Sequence, residues 1–445
     1  MTTPHLETLP PSDNPYKDFR YFYCDGMPLR PAPKRRTEKP SWSTARHTLF
    51  DKWHRVRDDW SYDTPQTRLL DDHMWQTDEY GNQVAEMFRR VGAKKARADF
   101  ELALNEGIDK VENPEPELVA LFEQLDNIPE WIDLEAAERG RVAYYNVTRM
   151  AEKITFAFGY WATTLEDRTS SATGETQMFE INPLQRGIET ANFFVNLGLH
   201  GVFDRFSEGF KSAARVRLIH AQANRGLDKL WGPERYNEYS WPINSSHMIS
   251  GEGWFALVPL AIDEFFGRQH SGKEWDDVAM YWAYVLYVMG GEERIIPKTG
   301  DEMRKMTSFL FANGGQSSKY RVQVATSLMN IYEMMGERAA LEALAGVSLI
   351  VGDEDTRFMV KDTKWESWDW SEVAKEMEAQ GRAEAAELKK LDESPDAPQR
   401  LAQRAKEGNP PWMGALRSKI QWAKDNGIDI PKNYQLHDDS VVAHN

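Results

Sequence analysis

Of the ten histidines in this chain, His220 stands out, because it lies inside the apolar helical run Ala214-Arg215-Val216-Arg217-Leu218-Ile219-His220-Ala221. Arg217 precedes it by one helical turn, and Arg215 and Arg225 flank it. One imidazole in apolar surroundings is enough to hold a haem iron, since the porphyrin supplies four nitrogens and the protein need give only an axial ligand. Arginine forks match the carboxylates of haem propionates. Upstream, Arg186 and Thr190 share a helix face, and Phe193, Phe194 and Leu197 continue it as an apolar stripe. A guanidinium and a hydroxyl facing an apolar cavity supply the hydrogen bonds and charge stabilisation that dioxygen or a peroxide needs. The same spacings also describe a core histidine with arginines reaching solvent, and a surface arginine beside a helix-buried threonine. The residues alone leave these alternatives open.

The elements that must position these side chains are helical. From about Gln83 the apolar residues recur at three and four, as in Val84, Met87, Phe88 and Val91, and strand-like alternation is almost absent. The periodicity predicts helices over 83–106, 134–164, 180–208, 211–230, 246–267, 274–290, 301–312, 319–336 and 338–350, with breaks at Asn182-Pro183, Gly232-Pro233, Gly290-Gly291 and Gly314-Gly315. The expected fold is all-α. A Pro-rich irregular arm (1–60) leads into one large helical domain (61–350) with globin-like packing around the haem site, followed by a charged helical extension (351–445). In that extension 365–391 reads as an amphipathic helix, and Pro410-Pro411-Trp412 opens a last short one.

Composition excludes several classes. A formal net charge of -16 gives no electrostatic footprint for nucleic acid. The single cysteine, Cys24, rules out an intramolecular disulfide framework, and no Cys-x-x-Cys-His is present, so a bound haem would be non-covalent. No apolar run approaches a membrane span, and the polar, Pro-rich start resembles no export signal, so a cytoplasmic location is expected. Gly267-Arg-Gln-His-Ser-Gly272-Lys273-Glu274 nearly spells a phosphate-binding loop, but Glu274 stands where a Mg-binding hydroxyl belongs. Gly251-Glu-Gly253-Trp-Phe-Ala256 lacks a preceding strand, and Trp254 obstructs backbone approach to a pyrophosphate. No histidine has a glutamate three residues before it, so the paired Glu-x-x-His motifs of a helical di-iron site are missing.

Four blocks in order carry a resemblance. They are Arg186-x-x-x-Thr190; Arg215-x-Arg217-x-x-His220-Ala221; Trp241-Pro242-Ile243-Asn244 before the apolar helix from Met248; and Gly290-Gly291-Glu-Glu-Arg-Ile-Ile-Pro297. Over roughly residues 80–340 the chain resembles the latex clearing proteins (rubber oxygenases) and MpaB-type oxygenases. The resemblance implies an all-helical fold with non-covalent haem b, His220 as proximal iron ligand, and Arg186 with Thr190 near the distal face. It also implies an apolar substrate and dioxygen as reactants, since rubber-cleaving members insert dioxygen across an isoprenoid double bond to give two carbonyl ends. The chain departs from that pattern in places. Glu189 stands where some rubber oxygenases place a lysine able to reach iron, and Asn224 stands where an arginine is expected. Glu166, Glu175 and Glu180 compete for the place of a catalytic glutamate. The reading is a cytoplasmic haem b oxygenase for an isoprenoid or other unsaturated substrate. The alternatives are a non-oxygenating haem protein for peroxide turnover, sensing or storage, and a cofactor-free helical interaction protein.

Overall fold

The computed structural model describes residue 70 and residues 73–165, 167–176, 183–313, 320–407 and 413–428; the arm expected over 1–60 lies outside them. Every regular element among the described residues is helical. After a short 3-10 turn at His73–Trp75 come α1 (Glu79–Val91), α2 (Ala93–Glu106), α3 (Pro116–Asp126), α4 (Leu134–Tyr144), α5 (Arg149–Leu165), α6 (Asp167–Glu175) and α7 (Pro183–Leu197). They are followed by α8 (Glu208–Tyr239), α9 (Ser245–Phe266), α10 (Gly272–Val288), α11 (Gly300–Asn313), α12 (Arg321–Met334) and α13 (Glu337–Val351). The chain then forms α14 (Asp353–Val360), α15 (Ser371–Asp392), α16 (Ala397–Glu407) and α17 (Met413–Asp425). None of the described helices is long and apolar enough to cross a membrane.

Local chemistry explains where the helices begin and stop. Asp133 starts α4 by accepting from the backbone N–H groups of Glu135 and Ala136, each at 3.0 Å. Ser271 and Glu274 form a reciprocal capping box at the start of α10, so the near phosphate-loop motif is a helix cap. The helix expected over 83–106 is divided at Gly92, whose φ of 90° lies where side-chain-bearing residues are strained. The helix expected over 134–164 is divided at 145–148.

The core forms around α10, which is buried continuously from Tyr281 to Val288. Helix α4 lies closest to it, because Gly140 has no side chain: a Cβ there would sit 1.9 Å from the Asp277 carbonyl oxygen. Arg139 closes the contact with two 2.9 Å bonds to the Asp277 carboxylate.

Helices beyond residue 350 belong to the same packed body. Helix α15 lies on α5, α9 and α13, and α17 on α5 and α7. The charge pattern of α15 describes its outer face, while Val373, Met377 and Ala385 are buried on the inner one. Polar fasteners hold it: Arg268 donates to Asp392 at 2.8 Å, and the Met150 N–H donates to Glu384 at 3.0 Å.

Arg268 also belongs to a buried charge cluster. Asp263, fully buried, accepts from the Thr148 backbone and hydroxyl at 2.9 and 2.8 Å and from Arg268 at 2.8 Å. His270 approaches it at 3.4 Å and Glu274 at 3.8 Å. Burial pushes the His270 imidazole down, but Asp263 and Glu274 outweigh it and raise its pKa above the ordinary 6.5. Burial likewise raises Glu274, but hydrogen bonds from His270 and Ser271 bring it down from 4.5 to about 2. A raised histidine stabilises the fold fully below its unfolded pKa, and that contribution is lost as pH rises through the folded value. A depressed carboxylate stabilises above its unfolded pKa and loses that contribution as pH falls toward the folded value. The contribution of this pair is therefore greatest between about pH 4.5 and 6.5. Urea unfolding at pH 6 and pH 8.5 is expected to show lower stability at the higher pH, with a smaller difference in His270→Gln. An equal pH dependence in both proteins would remove His270 as the cause.

Candidate functional site

Helix α8 carries His220 and is set in rotation by carboxylates on its neighbours. Arg217 donates Nε and Nη2 to the two oxygens of Asp78 at 2.6 and 2.7 Å, and Nη1 to Gln124 on α3 at 2.6 Å. Arg225 donates Nε to Glu86 at 2.6 Å. Both contacts span 139 residues, so α1 and α8 run parallel in constant register. Arg215 grips Glu101 on α2 with two bonds of 2.8 and 2.6 Å. The three arginines expected beside the histidine thus diverge to three protein carboxylates. Only Arg217 lines a cavity together with His220, and any propionate neutralised by these arginines has to share them with Asp78, Glu101 and Glu86. Of the three pairs Arg217–Asp78 is the buried one and is costly to break singly, about 3–5 kcal/mol, so it constrains helix orientation most strongly.

His220 is partly buried, and its Nδ1 is buried without a hydrogen-bond partner. Burial of the ring pushes its pKa down to about 4, against the opposing pull of Asp78, so the imidazole is neutral at pH 7. A cavity of about 20 Å³ touches His220, Asp78, Thr77, Arg217, Asn244 and Met248. That volume suits a single water.

The motifs seen in the sequence build this surround. Asn224, in the place of an expected arginine, is fully buried; it donates to Thr77 Oγ1 at 2.9 Å and accepts from the Ile243 N–H at 3.0 Å. Asn244 starts α9 by accepting from the His247 N–H at 2.8 Å. Gly290 has φ 85°, and a Cβ on it would lie 2.5 Å from Asp78 Oδ2 and 2.6 Å from Arg217 Nε. Gly290→Ala is therefore expected to destabilise by about 2–4 kcal/mol, combining left-handed backbone strain with overpacking against the ion pair. Chemical denaturation checks this, and a loss below about 0.5 kcal/mol, the range of an ordinary surface change, would contradict the close approach.

Arg186 and Thr190 lie on α7, which packs against α8. Three buried donors hold the C-terminal carbonyls of α7: Tyr145 bonds Phe194 O at 2.7 Å, Tyr281 bonds Leu197 O at 3.1 Å and Arg141 bonds Gly198 O at 2.7 Å. Burial raises both phenol pKa values, so these tyrosines remain neutral donors. Asn196 of α7 meets Ser212 of α8 at 2.9 Å. Neither Thr190 nor Arg186 lines the cavity beside His220. Thr190 Oγ1 donates to the Arg186 carbonyl at 3.0 Å. Arg186 donates to Glu189 at 2.7 Å, and Glu189 is fully buried. The residue in the lysine's place thus supplies a counter-charge for Arg186, a pairing that sequence spacing permits at three residues but does not require.

Of the three competing glutamates, Glu166 and Glu180 lie outside the described residues. Glu175 accepts from the Trp231 indole N–H and, at 2.7 Å, from the Tyr320 hydroxyl. Trp231 follows His220 by three helical turns on the same face of α8. Asp78, which sequence reading missed, carries only one sequence signal, its place just before the first helix.

Residues 147–339 match the family described as ER-bound oxygenase mpaB/B'/Rubber oxygenase, catalytic domain. No curated protein sequence matches the chain. Among solved structures, one titled "Structure of Latex Clearing Protein LCP in the closed state" is similar with 13% identity and a TM-score of 0.52, covering 82% of this chain and 93% of that one. At that identity the likeness establishes a shared all-helical fold. The matched segment, which holds Arg186, Thr190 and His220, is similar to the catalytic domain of the mpaB and rubber oxygenase family.

Proposed function

We propose that the protein is a haem b-dependent oxygenase that oxidises or cleaves a carbon–carbon double bond of an apolar, isoprenoid or otherwise unsaturated substrate, acting in the cytoplasm. The observation that carries this reading is His220: a neutral imidazole with an unpartnered buried nitrogen, inside a domain of an oxygenase family. A neutral ring is the form that ligates iron, and an unsatisfied buried nitrogen calls for a partner, so the residue fits the group.

When bound, haem supplies the dioxygen-activating chemistry. The chain supplies position and field. His220 would hold the group through a ring nitrogen. The pairs Arg217–Asp78, Arg215–Glu101 and Arg225–Glu86 fix the rotation of the helix that carries it. Arg186, balanced by Glu189, places a cation across the helix pair, and Thr190 Oγ1, whose proton is committed to the Arg186 carbonyl, keeps acceptor capacity. Phe193 and Phe194 supply apolar wall.

The test is incubation of haem-reconstituted protein with isoprenoid alkenes under ¹⁸O₂, with mass spectrometry of products. Labelled carbonyl products, reduced about 100-fold or more by Arg186→Ala as for loss of an electrostatic stabiliser, support the proposal. A haem-loaded protein inert to every alkene but active on peroxide would favour the non-oxygenating alternative.

A further inference from the structure

We propose that a second cavity, at the connection between α7 and α8, binds a small organic cation: an ammonium or guanidinium group carried on a short apolar body. The proposal does not depend on the reading of His220. The cavity has a volume of about 240 Å³ and shares no lining residue with the one beside His220. It lies where the ends of α2 and α3 meet the 198–207 connection, the start of α8 and one face of α10. That volume falls below the roughly 300 Å³ at which pockets for drug-sized ligands begin, so the occupant is small.

The inner surface is apolar and aromatic. Tyr284, Leu125 and Phe210 form a buried floor, and Ile108 and Phe203 are half-buried above it. Tyr284 and Phe203 meet edge to face, with ring centroids 4.8 Å apart. The Tyr284 hydroxyl donates to the Phe203 carbonyl at 3.5 Å and stays a neutral phenol, because burial raises its pKa. Phe206 stands 50% exposed at the mouth.

The rim is acidic. Glu106, Asp109 and Asp126 are exposed there, and α2 and α3 both end at it, adding the partial negative charge of two helix C-termini. Two cations stand against them. Lys110 pairs with Asp109 at 2.6 Å. Arg205 bonds Asp126 and donates to the Ala103 and Leu104 carbonyls in the last turn of α2 at 3.2 Å each. Its guanidinium carbon lies 5.3, 5.0 and 4.7 Å from the ring centroids of Phe122, Phe206 and Phe210. Arg205 thus displays what this lining stabilises: a cation held between aromatic faces and oxygen acceptors. Glu106 has no ion-pair partner among the described residues, so negative charge remains in excess for a second cation. The rim repels an anion, and a neutral molecule gains only from the apolar walls.

The test is titration of the full-length protein, as purified, with three probes of similar size: 2-phenylethylammonium, 2-phenylethanol and 3-phenylpropionate. Calorimetry and ligand-observed NMR report the affinities. The ammonium is expected to bind saturably and about 10-fold or more tightly than the alcohol, and the carboxylate not at all. Glu106→Gln is expected to weaken the ammonium about 3-fold without altering the alcohol, and Phe206→Ala to weaken both. Both side chains are exposed, so neither substitution threatens the fold. Glu372→Gln, which alters an exposed carboxylate on α15 away from the cavity, is expected to change nothing. Equal affinities for the ammonium and the alcohol, a loss in Glu372→Gln as large as that in Glu106→Gln, or no saturable binding of the ammonium at millimolar concentration would overturn the proposal.

Discussion

His220→Ala is expected to abolish the Soret band of the haem-reconstituted protein while leaving its helical content intact. Loss of a group that merely supports a ligand costs roughly 10–100-fold in metal affinity, and loss of the axial ligand itself should exceed that. The fold has little stake in the ring. Nδ1 makes no hydrogen bond, and the neighbouring fastener of α8, the Arg217–Asp78 pair, does not depend on it. Truncation removes a buried unsatisfied polar atom, a gain of about 1–3 kcal/mol, against the cost of the small cavity left behind. Thermal unfolding of the haem-free variant should therefore match wild type within about 1 kcal/mol. Free imidazole added to His220→Gly should restore the band by entering the vacated space. A variant that keeps the wild-type spectrum would remove His220 as ligand, and a wild type that takes up no haem would remove the cofactor.

The largest stability loss is expected at a glycine outside the site. Gly140→Ala adds a methyl 1.9 Å from the Asp277 carbonyl oxygen and 2.4 Å from its carbon, which are backbone atoms in the buried helix α10. A flexible side chain would yield; a helix backbone held by Arg139 and Lys273 at the same residue yields only if α4 moves away. Overpacking costs about 1–3 kcal/mol where neighbours can adjust, and this contact lies at or above the upper end even after the roughly 1 kcal/mol helix-propensity gain of alanine over glycine. Gly272→Ala, where an added methyl meets nothing within 4 Å, is the matched control and should be neutral or slightly stabilising. The effect reaches the site, because Arg141 follows Gly140 on α4 and, with Tyr145, holds the end of the helix bearing Arg186 and Thr190. Denaturant midpoints of the two variants decide the matter; equal midpoints would mean that α4 and α10 are not locked at this crossing.

The all-helical class, most of the long helices and the importance of His220 are readable in the sequence, because they rest on short-range regularities. Apolar residues at three and four mark a buried helix face, and Ser271-x-x-Glu274 marks a helix start. The four ordered blocks carry the family resemblance for the same reason: each is a local string. The partners of the charged residues are a different matter. Arg217 finds Asp78 and Arg139 finds Asp277 across more than a hundred residues, and nothing near either arginine in the chain names its carboxylate. Spacing around His220 gathers three arginines near one histidine, whereas helix rotation sends them to three different carboxylates on α1 and α2. The charged tail shows the same limit. Its alternating Glu and Lys describe the solvent face of α15, and only the packed helices reveal that Val373, Met377 and Ala385 complete the core. Helix formation follows from hydrogen bonds four residues apart, and the sequence encodes it locally. Pairing of buried charges follows from which helix faces meet, which is decided only when the whole chain has packed.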